Sequence, residues 1–169
     1  MPWSAPYDWN DGEYPGATLF NASIRDNQGA LKTPASASYA ADEGTDYTLT
    51  PGAAWAAIDA VNMKFTLATA GGDVFAGFHG TFASASLTPI LCLDIAVDDV
   101  LIGGDNGIID KGLTTNMSSL SFIRLIPGLA AGEHTFELQW QTFGNVILYA
   151  GAGTANRDLH PQFWVREMS

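Results

Sequence analysis

The sequence predicts an all-β domain, an antiparallel jelly-roll sandwich, preceded by an N-terminal arm and one short helix. Three observations carry that prediction. From about residue 58 the apolar side chains recur with a period of two, as they do when alternate residues of a strand face a core. Glycine-, asparagine- and aspartate-rich turns separate these runs, and no helical pattern lies between them, so parallel crossovers have nothing to run through. About 110 residues divided among about eight strands suit a jelly roll.

Residues 1–15 combine Trp3, Tyr7, Trp9 and Tyr14 with Pro2, Pro6, Gly12 and Pro15. Such a segment neither forms a helix nor builds a core of its own. Each ring, once buried, withdraws about 150–250 Å² from water, so the segment is expected to dock. Residues 15–32 read as the helix. Pro15 suits its first turn, Leu19, Phe20, Ile24 and Leu31 share one face, and Thr33-Pro34 ends it. One narrow apolar stripe again requires a surface to lie on. The expected anchoring set is Trp3, Tyr7, Trp9, Tyr14, Phe20, Ile24 and Leu31, in an arm of residues 1–34. Residues 35–57 are small, polar and punctuated by proline and glycine. They read as a linker running into a first edge strand at 47–50.

Residues 58–169 form the expected jelly-roll domain. Val61, Met63, Phe65 and Leu67 alternate with polar residues, and Gly71-Gly72-Asp73 supplies a hairpin turn. The returning strand, 74–84, carries Phe75, Phe78 and Phe82. Leu91, Leu93, Ile95 and Val97 face one way in the next; Asp98-Asp99 turns the chain into 100–102, and 103–107 is a loop. A strand at 120–126 closes at Pro127-Gly128. His134, Phe136, Leu138 and Trp140 alternate with Glu133, Thr135, Glu137 and Gln139, and Phe143-Gly144-Asn145 turns into 146–150. A final strand at 162–167 carries Phe163 and Val165. Ile90-Leu91-Cys92-Leu93 and Val146-Ile147-Leu148-Tyr149 are apolar on both faces. One face of a sandwich sheet normally meets water, so a neighbouring subunit is expected to cover the outer face of one sheet.

Composition points the same way. Only 15% of the 169 residues are charged, and 47% are hydrophobic. Soluble domains usually carry about 25% charged residues, so oligomerisation is expected to hide the uncharged surface. Seven Lys+Arg against 18 Asp+Glu give a formal charge of -11, which argues against nucleic-acid or anionic-membrane partners. No run approaches the ~20 apolar residues of a membrane-spanning helix. The first residues lack the basic and apolar regions of a signal peptide. Cys92 has no second cysteine to pair with and reads as a small buried hydrophobe.

Catalytic patterns are sparse, and no enzymatic activity or cofactor is expected. His79, His134 and His160 lie far apart without metal-ligand spacing. His134 reads as a satisfied core or turn histidine, and His79 as a residue lining a subunit interface. There is no Gly-x-Ser-x-Gly elbow, and Gly151-Ala152-Gly153 lacks the third glycine of a nucleotide loop. Asp94, Asp98, Asp99, Asp105 and Asp110 crowd one stretch. They read first as turn formers on a soluble rim. Asp98, Asp99, Asp105 and Asp110 are the place to look for calcium or another ligand, although their spacing matches no EF-hand loop.

Two stretches resemble known proteins. Trp9-Asn10-Asp11-Gly12-Glu13, followed by Asn21-x-x-Ile24-Arg25-Asp26-Asn27-x-x-Ala30-Leu31-Lys32, resembles the N-terminal segment of many tailed-bacteriophage virion proteins. Gly132-Glu133-His134-Thr135-Phe136-Glu137-Leu138-Gln139-Trp140-Gln141-Thr142, with Phe163-Trp164-Val165-Arg166-Glu167, is similar to the last strands of C1q/TNF-like jelly rolls in phage structural proteins. The resemblance implies a homotrimer closed around a three-fold axis. It also implies a virion location after assembly in the host cytoplasm. The arm would attach to the major capsid protein, as a capsid decoration or head spike. The alternative it implies is a tail-fibre or tail-tip protein, attached to tail proteins and recognising a host surface glycan.

Overall fold

The computed structural model describes residues 14, 16–21, 24, 28, 34–41, 44–86, 89–151 and 159–168. The fold is the expected all-β, antiparallel, jelly-roll-like sandwich. Its strands are β1 (Ser36–Ala40), β2 (Tyr47–Leu49), β3 (Gly52–Ala57), β4 (Lys64–Thr69), β5 (Gly72–Ser84) and β6 (Ile90–Val97). They continue with β7 (Val100–Leu101), β8 (Ile109–Gly112), β9 (Ser118–Leu129), β10 (Gly132–Thr142), β11 (Val146–Tyr149) and β12 (Gln162–Glu167).

Short strands share the flanks of long ones, so each sheet has four rows. In the first sheet β5 pairs with β9 on one side and with β12 and then β11 on the other; β1 extends β12 and β2 extends β11. In the second, β10 pairs with β4 and β3 on one side and β6 on the other, and β6 pairs with β7 and β8. Numbered by their place along the chain, the rows run 1-8-3-6 in one sheet and 2-7-4-5 in the other. That is the order a jelly roll produces when a folded-over pair of chain halves wraps into two sheets.

The inward positions follow the period of two. Val74, Ala76, Phe78 and Phe82 of β5 and Leu91, Leu93 and Ile95 of β6 are fully or almost fully buried. Phe78 packs against Phe82 and Phe122, with ring centroids 6.0 Å apart in each pair. Phe65 of β4 stacks on Phe163 of β12 at 5.1 Å, which ties one sheet to the other. Burying side chains of this size contributes about 1.5–3 kcal/mol each, before conformational entropy is subtracted.

The structure departs from the expectations in three places. Residues 35–57 are not a linker with one edge strand. They carry β1, β2 and β3, each hydrogen-bonded to an inner strand, so the sandwich starts well before residue 58. Serine and alanine occupy most of β1 and β3 and leave almost no hydrophobic period to read. Val61 belongs to a turn rather than to β4. The Asp59 carboxylate accepts the backbone N–H groups of Val61 and Asn62, both at 2.9 Å, and this side-chain cap delays the strand to Lys64. Conversely, β9 runs past Pro127 to Leu129. Proline is tolerated because β9 is an edge strand, and the pairing with β5 is irregular between Gly72 and Val74. Of the expected helix, α1 (Ala17–Phe20) is described, with helical backbone again at Asn21, Ile24 and Gln28; most of 22–33 lies outside the described residues.

Candidate functional site

The outward positions of the first sheet line up in ladders. One runs Ser121, His79, Gln162 and Ala40; the next runs Ile123, Gly77, Trp164 and Ser38; the third runs Leu125, Phe75, Arg166 and Ser36. The middle of this surface is apolar. Ile123 is 68% exposed and Leu125 42%, while Phe75 and Trp164 are half-buried. Glycine is required beneath Trp164: a Cβ on Gly77 would sit 2.4 Å from Cζ2 and 2.5 Å from Cε2 of the indole, so the ring lies directly against the Gly77 backbone. Beside the ring runs a trough of about 460 Å³, lined by Phe78, His79, Ser121, Phe122, Ile123 and Trp164.

Two further properties mark this face. Among the described residues β9 pairs with β5 alone, so within them one edge of a 12-residue strand is unpaired beside the apolar patch. Long edges of this kind template pairing with another chain unless they are covered. The three ladders hold His79 and Arg166 and no carboxylate, in a chain with 18 acidic residues. These ladders therefore carry none of the chain's net negative charge.

This patch was not legible from the strands that appeared two-faced. In β6 the outward Cys92, Asp94 and Ala96 lie beside the longer Gln141, Gln139 and Glu137 of β10, and are buried by polar neighbours. The readable signal was 120–126, where Phe122 and Ile126 face inward while Ile123 and Leu125 face outward.

The acidic rim is distributed rather than gathered. Asp98 and Asp99 form the two-residue turn between β6 and β7, with φ of 50° and 65°. Both left-handed positions suit a twisted hairpin, and aspartate tolerates them. Asp98 Oδ2 lies 2.7 Å from His134 Nδ1, and its Oδ1 accepts the Thr135 N–H at 2.8 Å. These contacts, His134 first, hold the Asp98 carboxyl below the usual range. Asp99 lies 3.8 Å from Lys64 Nζ, which is 3.3 Å from Glu137. Asp105 is exposed in the β7–β8 loop, and Asp110 is exposed on β8, opposite Cys92. Burial, and then the Asp110 charge, push the Cys92 thiol up. Among the described residues no three His, Cys, Asp or Glu side chains come close enough to hold a metal ion.

Asp94, beside that rim in sequence, is fully buried and has a structural task. Its Oδ1 accepts the Ile95 N–H at 2.7 Å, and both oxygens accept the Gly103 N–H at 3.0 Å. It thereby fastens the loop that leaves β6 between β7 and β8. Burial raises its pKa despite these bonds.

Of the expected anchoring residues, Tyr14 is 92% exposed, Phe20 47% and Ile24 40%. Trp3, Tyr7, Trp9 and Leu31 lie outside the described residues. No described helix is long and apolar enough to cross a membrane.

No family model and no curated protein matches the chain. Among solved structures it is similar to that of infectious bursal disease virus Gx strain, at 12% identity and a TM-score of 0.43 over 82% of this chain and 37% of that one. It is also similar to infectious bursal virus derived T=1 particles, at 13% identity and a TM-score of 0.41 over 80% and 36%. The infectious bursal disease virus VP2 subviral particle follows, at 12% identity and a TM-score of 0.39 over 80% and 38%. The chain thus spans less than two-fifths of the length of the structures it resembles.

Proposed function

We propose that this chain is a non-enzymatic structural protein of a virion: a homotrimer fixed to the virion surface by its N-terminal arm as a capsid decoration or head spike. The observation that carries the reading is the apolar outer face of the first sheet, with Ile123, Leu125, Phe75 and Trp164 beside the edge of β9 that is unpaired among the described residues. A face that meets the edge of the next copy is a heterologous contact, and three such contacts close a ring.

The arm supports attachment. Tyr14, Phe20 and Ile24 are too exposed to be part of the sandwich core. With Trp3, Tyr7, Trp9 and Leu31 they form the proposed anchor on the major capsid protein. A trimer presents that anchor three times, so modest single contacts combine into stable attachment. The phage-like segments around Trp9 and Asn21 support the virion setting. The non-enzymatic reading is supported by how the perturbed acidic groups are used: Asp59, Asp94 and Asp98 are each hydrogen-bonded within the fold, by backbone N–H groups and, for Asp59 and Asp98, also by the Tyr47 hydroxyl and the His134 ring.

Gold-labelled antibody to the sandwich, applied to purified particles of the virus that encodes the chain, tests the proposal. Label distributed over the shell is expected. Label confined to the tail tip would instead support the receptor-binding alternative, with tail proteins and a host surface glycan as partners. Particles without label would overturn the virion assignment altogether.

A further inference from the structure

His134 stands near the start of β10 with both ring nitrogens engaged. Nδ1 lies 2.7 Å from Asp98 Oδ2, and Nε2 lies 2.9 Å from the Ala130 carbonyl oxygen. Both partners accept only. A neutral imidazole has one N–H and would turn a lone pair toward one of these oxygens, whereas the imidazolium donates to both. We infer that His134 is a proton-operated clasp, which as an imidazolium ties the β6–β7 turn to the β9–β10 turn and on losing its proton releases the second.

The direction of release follows from the partners. Asp98 is the charged acceptor and keeps the Nδ1 proton. The Ala130 carbonyl also accepts the Thr69 hydroxyl at 3.0 Å, so it stays hydrogen-bonded when Nε2 withdraws. Ala130 directly follows β9, so the end of that edge strand is what loosens. The charged groups around the clasp are few. Asp98 and Asp99 share the turn, and Glu133 is the neighbour on β10. Leu67 is the residue opposite on β4, while Lys64, farther along it, is shared between Asp99 and Glu137. Asp73 accepts the Gly128 N–H and Glu167 the Ala70 N–H. Among the described residues, Asp98 alone lies within ion-pair distance of His134.

The bond to Asp98, followed by that to Ala130, raises the His134 pKa. Stabilisation from His134 is therefore complete below the histidine's unfolded pKa and disappears as pH rises through its folded one. Asp98, shifted down, contributes above the ordinary carboxylate range and loses that contribution as pH falls through its lowered value. The clasp is strongest between these limits.

Nitrogen-15 NMR of the histidine-labelled full chain, titrated with pH, tests this. Two protonated ring nitrogens are expected below a midpoint that lies above that of the same residue in the urea-unfolded chain, with the proton retained on Nδ1 beyond it. Hydrogen exchange at the Ala131 and Gly132 amides should accelerate above that midpoint. Asp98→Asn should lower the midpoint toward the unfolded value. A midpoint at or below the unfolded one, or an Asp98→Asn midpoint equal to wild type, would overturn the inference.

Discussion

Gly77→Ala adds one methyl group at the crossing of the apolar face, and its cost is set by the indole above it. The new Cβ would sit 2.4 Å, 2.5 Å and 2.8 Å from Cζ2, Cε2 and Nε1 of Trp164. Carbon atoms rest at about 3.5–4.0 Å, so the ring must lift by about 1 Å or more. Gly77 is outside the left-handed region, so alanine brings no backbone strain. Overpacking costs about 1–3 kcal/mol, and the alanine's reduced chain entropy offsets about 0.4–1 kcal/mol. The expected net loss is about 1–2 kcal/mol, read as a lowered urea midpoint with an unchanged slope. In a Trp164→Leu background the obstacle is gone, and the same substitution should be neutral or mildly stabilising. An equal cost of Gly77→Ala in both backgrounds, or no cost in the wild type, would show that the indole does not limit the space above Gly77.

Other substitutions probe other parts of the account. Asp94→Ala leaves the Ile95 and Gly103 N–H groups without their acceptor and should cost about 1–3 kcal/mol, with faster hydrogen exchange at Gly103. Burial makes the folded chain hold the Asp94 proton more tightly than the unfolded chain does. Wild-type stability relative to Asp94→Asn should therefore fall as pH rises from the usual carboxylate range through the raised Asp94 value. Tyr47→Phe removes the hydroxyl that donates to Asp59 Oδ2 at 2.8 Å and should cost about 1 kcal/mol in thermal unfolding. Replacing Tyr14, Phe20 and Ile24 together by serine should leave sandwich stability within about 0.5 kcal/mol while abolishing co-sedimentation with virus particles. A large fall in melting temperature would assign these three residues to the folded core instead.

The sheet interior was legible because its strands alternate. Leu91, Leu93 and Ile95, and Phe136, Leu138 and Trp140, face the core as their period requires. The turn at Asp98-Asp99 was legible from residue type, and His134 is the satisfied turn histidine expected of it. The edge strands were not, because alanine and serine in β1 and β3 carry little hydrophobic contrast, and their place depends on partners more than a hundred residues away in β12 and some eighty away in β10. An apolar outer face was expected, but on other strands. Apolar runs in sequence do not reveal which neighbours shade them: Cys92 and Ala96 are covered by longer polar residues across the ladder, while Ile123 and Leu125 on an edge strand are not. Asp94 could not be separated from its acidic neighbours by spacing, since its burial depends on the loop returning at Gly103.

The native mass of the purified chain by light scattering, for the wild type and for Ile123→Glu/Leu125→Glu, tests the proposed trimer. Both residues project outward, so the double variant should fold with an unchanged circular dichroism spectrum. Burial of an aliphatic side chain contributes about 1.5–3 kcal/mol, and three copies of the contact multiply that contribution, so two buried charges should dissolve the assembly. A wild-type mass three times the chain's 17.9 kDa is expected, with a folded variant of single-chain mass. A wild-type protein that stays monomeric at every concentration, or a variant that remains trimeric, would contradict it.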